Sequence, residues 1–460
     1  MANFWDFSVW GTVNIAGALI VSMLIANMIK RSVPLLRSSL IPTSVLGGLL
    51  LLIISIVYEM ATDVPLFNTA IFGGNGLATL EVITYHSLAL GFIASAFRPS
   101  KGKMTRQRTT EIFNTGVTTV ATYLIQAIVG FGITIIASFV LEGFFQAAGV
   151  LLPFGYGQGT GQALNYGTIY ETEFGFVGGK SFGLTVAAVG FLVASIGGVI
   201  HLNIVQKRFD IKSRHTESGP AMSIDDIQGE NEIPMAGSLD KLSIQMAFIM
   251  GAYLLTYITI YILGTLIPGF KAILYGFNFL FGVLIATVLS IVVGALHKRD
   301  IVHRQYINTF LMTRISGFFF DMMIVAGIAA IRINRLQQFA GVLIILCTVG
   351  AIVTYFYIRI VCRKLFPEYA QEQFLGMFGM LTGTASTGII LLREVDRNLQ
   401  SPVSENMVYQ NLPAIVFGFP MMLLATLAPV KPYLTFVILV VFFAAMNVIL
   451  FRSVIFRRKK

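Results

Sequence analysis

Charge is what this chain has least of. Of its 460 residues only 12% are Asp, Glu, Lys or Arg, about half the share of an ordinary soluble domain, while 56% are hydrophobic. Such a composition excludes a water-soluble globular protein and points to a polytopic membrane protein. Cysteine is almost absent: Cys347 and Cys362 lie in or at the end of one apolar run, so no disulfide framework is expected and a metal site would need more ligands. No His-Glu-x-x-His pair or Gly-x-x-x-x-Gly-Lys-Ser/Thr loop occurs, and the Gly-x-Ser-x-Gly string Gly179-Lys180-Ser181-Phe182-Gly183 opens an apolar run rather than a strand-to-helix elbow. The chemistry of hydrolysis and ATP-driven pumping is therefore missing, and the chain reads as a non-enzyme without an organic cofactor. No Lys or Arg precedes the first apolar run, so a signal peptide's basic start is lacking and that run is expected to remain as the first span. The net charge of +10 does not indicate nucleic acid, because the basic residues fall in short loops between apolar runs.

Runs long enough to span occur near 9–28, 41–60, 78–97, 112–141 and 178–205, then near 243–267, 272–296, 306–331, 336–362, 403–428 and 432–455. Each supplies roughly the 20 apolar residues a crossing needs. The hydrophilic stretch 206–242 divides the chain, and at that length a solvated tether is the expected state. Two further apolar segments, 144–171 and 370–396, are rich in glycine. If both enter and leave on one side as re-entrant hairpins, all but five of the 32 Lys and Arg lie cytoplasmic or at cytoplasmic helix ends. The exceptions are Lys180, Lys271, Arg332, Arg335 and Lys431. The expected topology has the N-terminus outside and the linker and C-terminus inside. Five crossings precede the linker, so the second half enters in the opposite orientation. Ala89-Leu-Gly91-Phe-Ile-Ala94 resembles Val325-Ala-Gly327-Ile-Ala-Ala330 at matching places in the two halves. The expected fold is therefore all-α: two inverted-topology repeats of five transmembrane helices over 1–205 and 243–428, each with a re-entrant hairpin, plus one extra C-terminal helix within 429–460.

The glycine-rich segments share a frame 224 residues apart. One reads Gly155-Tyr-Gly157-Gln158-Gly159-Thr160-Gly161-Gln162, the other Gly379-Met-Leu-Thr382-Gly383-Thr384-Ala385-Ser386-Thr387. Both contain Gly-x-x-x-Gly-Thr. Non-helical backbone at membrane depth must be buried in protein or line a wet cavity, and a matched pair of interrupted segments points to a transporter's binding site. Half-helix N-termini suit carboxylates; unwound carbonyls and hydroxyls suit Na⁺. Substrate contacts are expected from Gly157, Gln158, Gly159, Thr160, Gly161, Gln162, Gly383, Thr384, Ser386 and Thr387. The bland alternative is close helix packing through small residues, and one motif alone would favour it. Phe154-Gly-Tyr-Gly157 resembles a potassium-channel filter, but that device needs four identical loops.

Asp321, in the middle third of the eighth span, costs about 2.5–3.5 kcal/mol there on insertion scales and is a functional candidate by default. With Thr382 and Thr160 it forms the expected cation-coupling set, as a Na⁺ ligand or a proton carrier; the competing reading is a buried pair with Arg314. His86 reads as a hydrogen-bonded interior residue and Glu81 as an interfacial one.

Taken together, the chain resembles the bacterial sodium/glutamate symporter family. The likeness is carried by Ile41-Pro42-x-x-Val45-x-Gly47-Gly48-Leu49-Leu50, Gly157-x-Gly159-Thr160-Gly161, Gly175-Phe176, Gly197-Gly198 and the glycine- and threonine-rich second hairpin, over roughly residues 9–428. It implies two inverted five-helix repeats, Na⁺-coupled uptake of L-glutamate across a bacterial inner membrane, and a homodimer. The chain departs from the family in having Gln158 where His is typical, in a loosely matched second hairpin and in its extra C-terminal span. The alternative is a proton- or sodium-coupled symporter of another small organic anion, aspartate or a dicarboxylate.

Overall fold

The computed structural model describes residues 3–97, 105–209, 232, 239–396 and 401–455. Most of the expected linker 206–242 and all of the basic tail 457–460 lie outside the described residues. The described chain is helical throughout, its one β-type contact being an isolated bridge between Glu232 and Gln305. In order the helices are α1 (Phe7–Ser32), α2 (Pro34–Ser38), α3 (Thr43–Thr62), α4 (Gly76–Ala96), α5 (Arg106–Val140), α6 (Leu151–Phe174) and α7 (Gly179–Phe209). They continue with α8 (Lys241–Leu266), α9 (Lys271–Gly276), α10 (Asn278–Lys298), α11 (Thr309–Ala329), α12 (Ala340–Leu365), α13 (Ala370–Thr382) and α14 (Ala385–Arg393). Last come α15 (Val403–Tyr409), α16 (Asn411–Leu427), α17 (Pro432–Leu450) and α18 (Arg452–Ile455).

Ten of these regions are long and apolar enough to cross a membrane, and eleven if α15 and α16 count as one bent span. Their outer faces carry large apolar side chains such as Leu24, Val57, Ile136, Ile291 and Val441, more than 50% exposed, as lipid-facing surfaces require. The eleventh run, expected as one span over 403–428, is bent by 51° between Val403–Tyr409 and Pro413–Leu427. The break falls at Gln410, and Pro413, in the first turn of α16, has no N–H to donate back across it.

The chain forms two units. The second comprises Val82–Gly102 and Thr216–Met323, and so contains most of α4, α8 to α10 and most of α11. Its core joins Leu90, Ile93 and Ala94 with Ile249, Ala252, Ala286, Met312 and Ile315. A Cβ on Gly282 would stand 2.7 Å from the Ile93 side chain, so α10 and α4 approach through a small residue. Ser316 Oγ donates to the Gly91 carbonyl at 2.9 Å. Near the start of α8, Lys241 forms an ion pair with Glu232 at 2.6 Å, both side chains buried, and Asn308 Nδ2 donates to the same carboxylate at 2.7 Å.

The first unit, Met1–Glu81, Lys103–His215 and Ile324–Lys460, is organised along α5. At the N-terminal end of that helix Arg108 donates to the Pro402 carbonyl at 3.0 Å and to Glu405 at 2.8 Å. At its C-terminal end Thr134 Oγ1 donates to the Gln146 carbonyl, and Gln146 Nε2 donates to Ser138 at 3.1 Å. The chain before α6 thus meets one end of α5, and the chain before α15 meets the other. The stretches flanking α6 also meet, because Phe145 and Phe176 stack at 4.7 Å with their planes 9° apart. Around them Phe144, Phe182 and Phe339 complete an aromatic cluster. Glu81, read from sequence as interfacial, pairs with Lys180 at 2.7 Å and stands 3.8 Å from Arg332. Two of the five basic residues outside the main clusters are thus matched by one carboxylate.

Candidate functional site

Both Gly-x-x-x-Gly-Thr segments are broken helices, and the break falls at the second glycine of each frame. In α6, Gly159 has φ 76° and ψ −169°, a combination open in practice only to glycine. The rings of Phe154 and Tyr166 stack across that break at 3.9 Å, although an unbroken helix would separate those positions by about 18 Å. In the second segment α13 stops at Thr382, Gly383 is non-helical, and α14 starts at Ala385 with Thr384 as its N-cap. Thr384 Oγ1 accepts from the Thr387 N–H at 3.4 Å. Here α13 and α14 pack back to back through glycine: a Cβ on Gly379 would stand 2.7 Å from the Gly388 Cα.

One turn in the middle of α5 holds both breaks. Tyr123 Oη donates to the Gly157 carbonyl at 3.0 Å, and Gln126 Nε2 donates to the Leu381 carbonyl at 2.9 Å. Residues three apart on a helix are neighbours on its surface, so the two interrupted backbones meet at the same level. Gln126 Nε2 also donates to Thr354 Oγ1 of α12 at 3.0 Å, and Tyr156 Oη donates to the Cys347 carbonyl at 2.7 Å. From α7, Gly190 touches both: its Cβ would lie 2.5 Å from the Thr382 carbonyl and 2.9 Å from the Tyr156 ring.

Not all the expected residues share one environment. Thr160 is fully buried against α11, where a Cβ on Gly327 would stand 2.5 Å from the Thr160 Cβ. Gly157, Gly159, Gly161, Gln162, Thr382, Gly383 and Thr387 are also buried, Gln158 and Thr384 are half-buried, and Ser386 is exposed. The first break is therefore packed shut while the second presents its N-cap and first turn. Asp321 is exposed and belongs to the second unit, whereas both breaks belong to the first. Its rival partner Arg314 lies over the Phe310 ring at 5.1 Å. His86 behaves as an ordinary hydrogen-bonded residue, 2.6 Å from Tyr253 Oη. Among the described residues no group of His, Cys, Asp and Glu is arranged to hold a metal ion.

Two buried amides at the breaks keep unused polar atoms: Gln126 Oε1 accepts no hydrogen bond and Gln162 Nε2 donates none. Gln126 is fixed in orientation, since the Leu381 carbonyl it faces needs a donor. An unpaired buried polar group costs about 1–3 kcal/mol, so each of these atoms is one that a bound polar molecule would satisfy. Leading to this level, Thr115, Thr118, Thr119 and Thr122 form a buried stripe on α5, each hydroxyl donating to the carbonyl four residues back. Outside the spans, burial raises the Tyr369 phenol above its ordinary range and keeps it neutral beside Asn406 Nδ2, 3.4 Å away.

Sequence reasoning missed Tyr123, Gln126, Thr354, Gly190 and Gly327. The signal for Gln126 was available: it is an isolated amide in the middle of the apolar run 112–141. No protein-family model matches the sequence, and no curated protein matches it.

Proposed function

We propose that the protein is a secondary active transporter, a symporter that carries L-glutamate into the cell with Na⁺. The observation that carries this reading is the meeting of two broken helices on one turn of α5, through Tyr123 to Gly157 and Gln126 to Leu381. At that level new helical runs begin at Thr160 and Ala385, and the positive partial charge of a helix N-terminus suits a carboxylate. The carbonyls and hydroxyls of the same breaks, with Thr382 and Thr160, are hard oxygen ligands for Na⁺. Asp321 is the proposed coupling carboxylate of the second unit.

The wider reading follows from the same contacts. Segments 144–171 and 370–396 are re-entrant hairpins that approach from opposite ends of α5. In support, Gln146 bonds its C-terminal end, while Pro402 and Glu405 bond its N-terminal end. Such entry is what two inverted repeats produce. The resemblance to the sodium/glutamate symporter family supplies the substrate, the coupling ion, the homodimer and the bacterial inner membrane, while the distribution of Lys and Arg supports an N-terminus outside and a C-terminus inside. The deciding experiment is uptake of labelled glutamate into proteoliposomes with Na⁺ and H⁺ gradients imposed separately. Accumulation driven by Na⁺ alone is expected. Accumulation driven only by H⁺, or of aspartate or a dicarboxylate in place of glutamate, would move the assignment to another organic anion; no accumulation under either gradient would reject transport.

A further inference from the structure

A basic cavity at the N-terminal end of α5 plays no part in the transport reading. It measures about 370 Å³ and is lined by Arg106, Thr109, Thr110, Phe113 and Arg452. The first four share one face of α5 by their helical spacing, and Arg452 follows the last spanning helix, α17, by two residues. Arg452 is held in place: its Nη1 donates to Asn114 Oδ1 at 3.1 Å and to the Ile449 carbonyl at 2.7 Å, and its guanidinium lies 5.0 Å from the Phe113 ring centroid. Nη1 makes both bonds, so other guanidinium donors of Arg452 remain for a ligand. Arg106 is exposed and has no side-chain partner among the described residues.

Two guanidinium groups thus share one cavity, and among the described residues no carboxylate lines it. The acid of these turns, Glu111, is engaged by Arg108 at 3.1 Å, and Arg108 is engaged in turn by Glu405 at 2.8 Å. The positive end of the long α5 dipole adds to the same field. Beneath the basic groups the wall is apolar, because the Phe113 ring meets Phe417 edge-on at 5.7 Å. With 35 residues α5 is about 52 Å long against a hydrocarbon core of about 30 Å, so its first turns reach the headgroup level. A ligand that fits has an anionic phosphate group above and hydrocarbon below.

We propose that this cavity binds the phosphate headgroup of an anionic phospholipid, clamped between Arg106 and Arg452 with its chains along α5. Arginine suits the role because its planar fork meets phosphate oxygens in pairs. Basic pockets between spanning helices are a known physical route to headgroup selectivity.

The test uses the full-length protein in detergent, with bound lipid counted by native mass spectrometry during titration with phosphatidylglycerol or phosphatidylcholine. Phosphatidylglycerol is expected to bind more tightly than phosphatidylcholine. Arg106→Gln should weaken it about fivefold, and the Arg106→Gln, Arg452→Gln double variant about thirtyfold. Because Arg452 also anchors α18, the single Arg106 variant is decisive if the double one fails to fold; with no partner to lose among the described residues, it should melt like the parent when lipid is absent. Equal affinity for the two lipids, or unchanged phosphatidylglycerol affinity in Arg106→Gln, would overturn the proposal. Displacement of phosphatidylglycerol by millimolar inorganic phosphate would also overturn it, by showing a free-anion site instead.

Discussion

Gly159→Ala is the sharpest test of how the first break is made. At φ 76° and ψ −169° the obstacle to a side chain is the backbone itself, because a Cβ clashes with its own carbonyl surroundings wherever it points. The strain amounts to about 1–3 kcal/mol. The smaller unfolded-state entropy of alanine returns about 0.4–1 kcal/mol. A net loss of about 1–2 kcal/mol remains, a factor of about 5–30 in the folded-to-unfolded ratio. Gly159 is also buried, so overpacking adds to this cost from Ala to Val, but the mark of backbone strain is that the loss is already present at Ala. Gly383 is different. Its φ of −141° is open to any residue, but a Cβ there would sit 3.0 Å from the Gly379 carbonyl, 3.2 Å from Thr387 Oγ1 and 3.3 Å from Ala194 Cβ. Loss at 383 should therefore rise steeply from Ala to Val as overpacking grows. Gly17→Ala is the control, since nothing lies within 4 Å of a Cβ in the middle of α1, and a neutral or slightly stabilising result is expected. The assay is thermal unfolding of purified protein, with uptake normalised to folded material. A Gly159→Ala protein that melts and transports like the parent, or a cost at 159 that starts near zero and grows with size, would refute the reasoning.

Gln126→Leu should lower stability by about 2–4 kcal/mol, as the buried Leu381 carbonyl and Thr354 hydroxyl lose their donor, and normal melting would show that water replaces the amide. Gly327→Val should suppress uptake more than expression, since its Cβ must displace Thr160; equal uptake per folded molecule would remove Thr160 from the site. Glu81→Gln should cost only about 0–1 kcal/mol, because Lys180 and Arg332 are partly exposed, and a large melting shift would contradict that. Cysteines replacing the exposed Glu173 and Asp300 should be labelled from outside and inside respectively, against a low background because Cys347 and Cys362 are buried; labelling from one side would overturn the topology.

The sequence by itself determined the helical class, the spanning segments and the two interruptions. Transfer of a segment into lipid is close to a sum over its own residues, so hydropathy and length record it locally. A glycine-thick frame likewise carries its own statement that the helix stops. The tertiary structure decided what those interruptions meet. Tyr123 reaches Gly157 and Gln126 reaches Leu381 because α5 runs beside both breaks, a fact held by pairs of residues up to 255 positions apart. It also decided that Thr160 is shut against Gly327 while Ser386 is open, and that Asp321 is exposed and belongs to a different unit from both breaks. The physical reason is that helices in lipid choose partners by shape and by single hydrogen bonds rather than by hydrophobicity, and shape is a property of two surfaces that neither segment records alone.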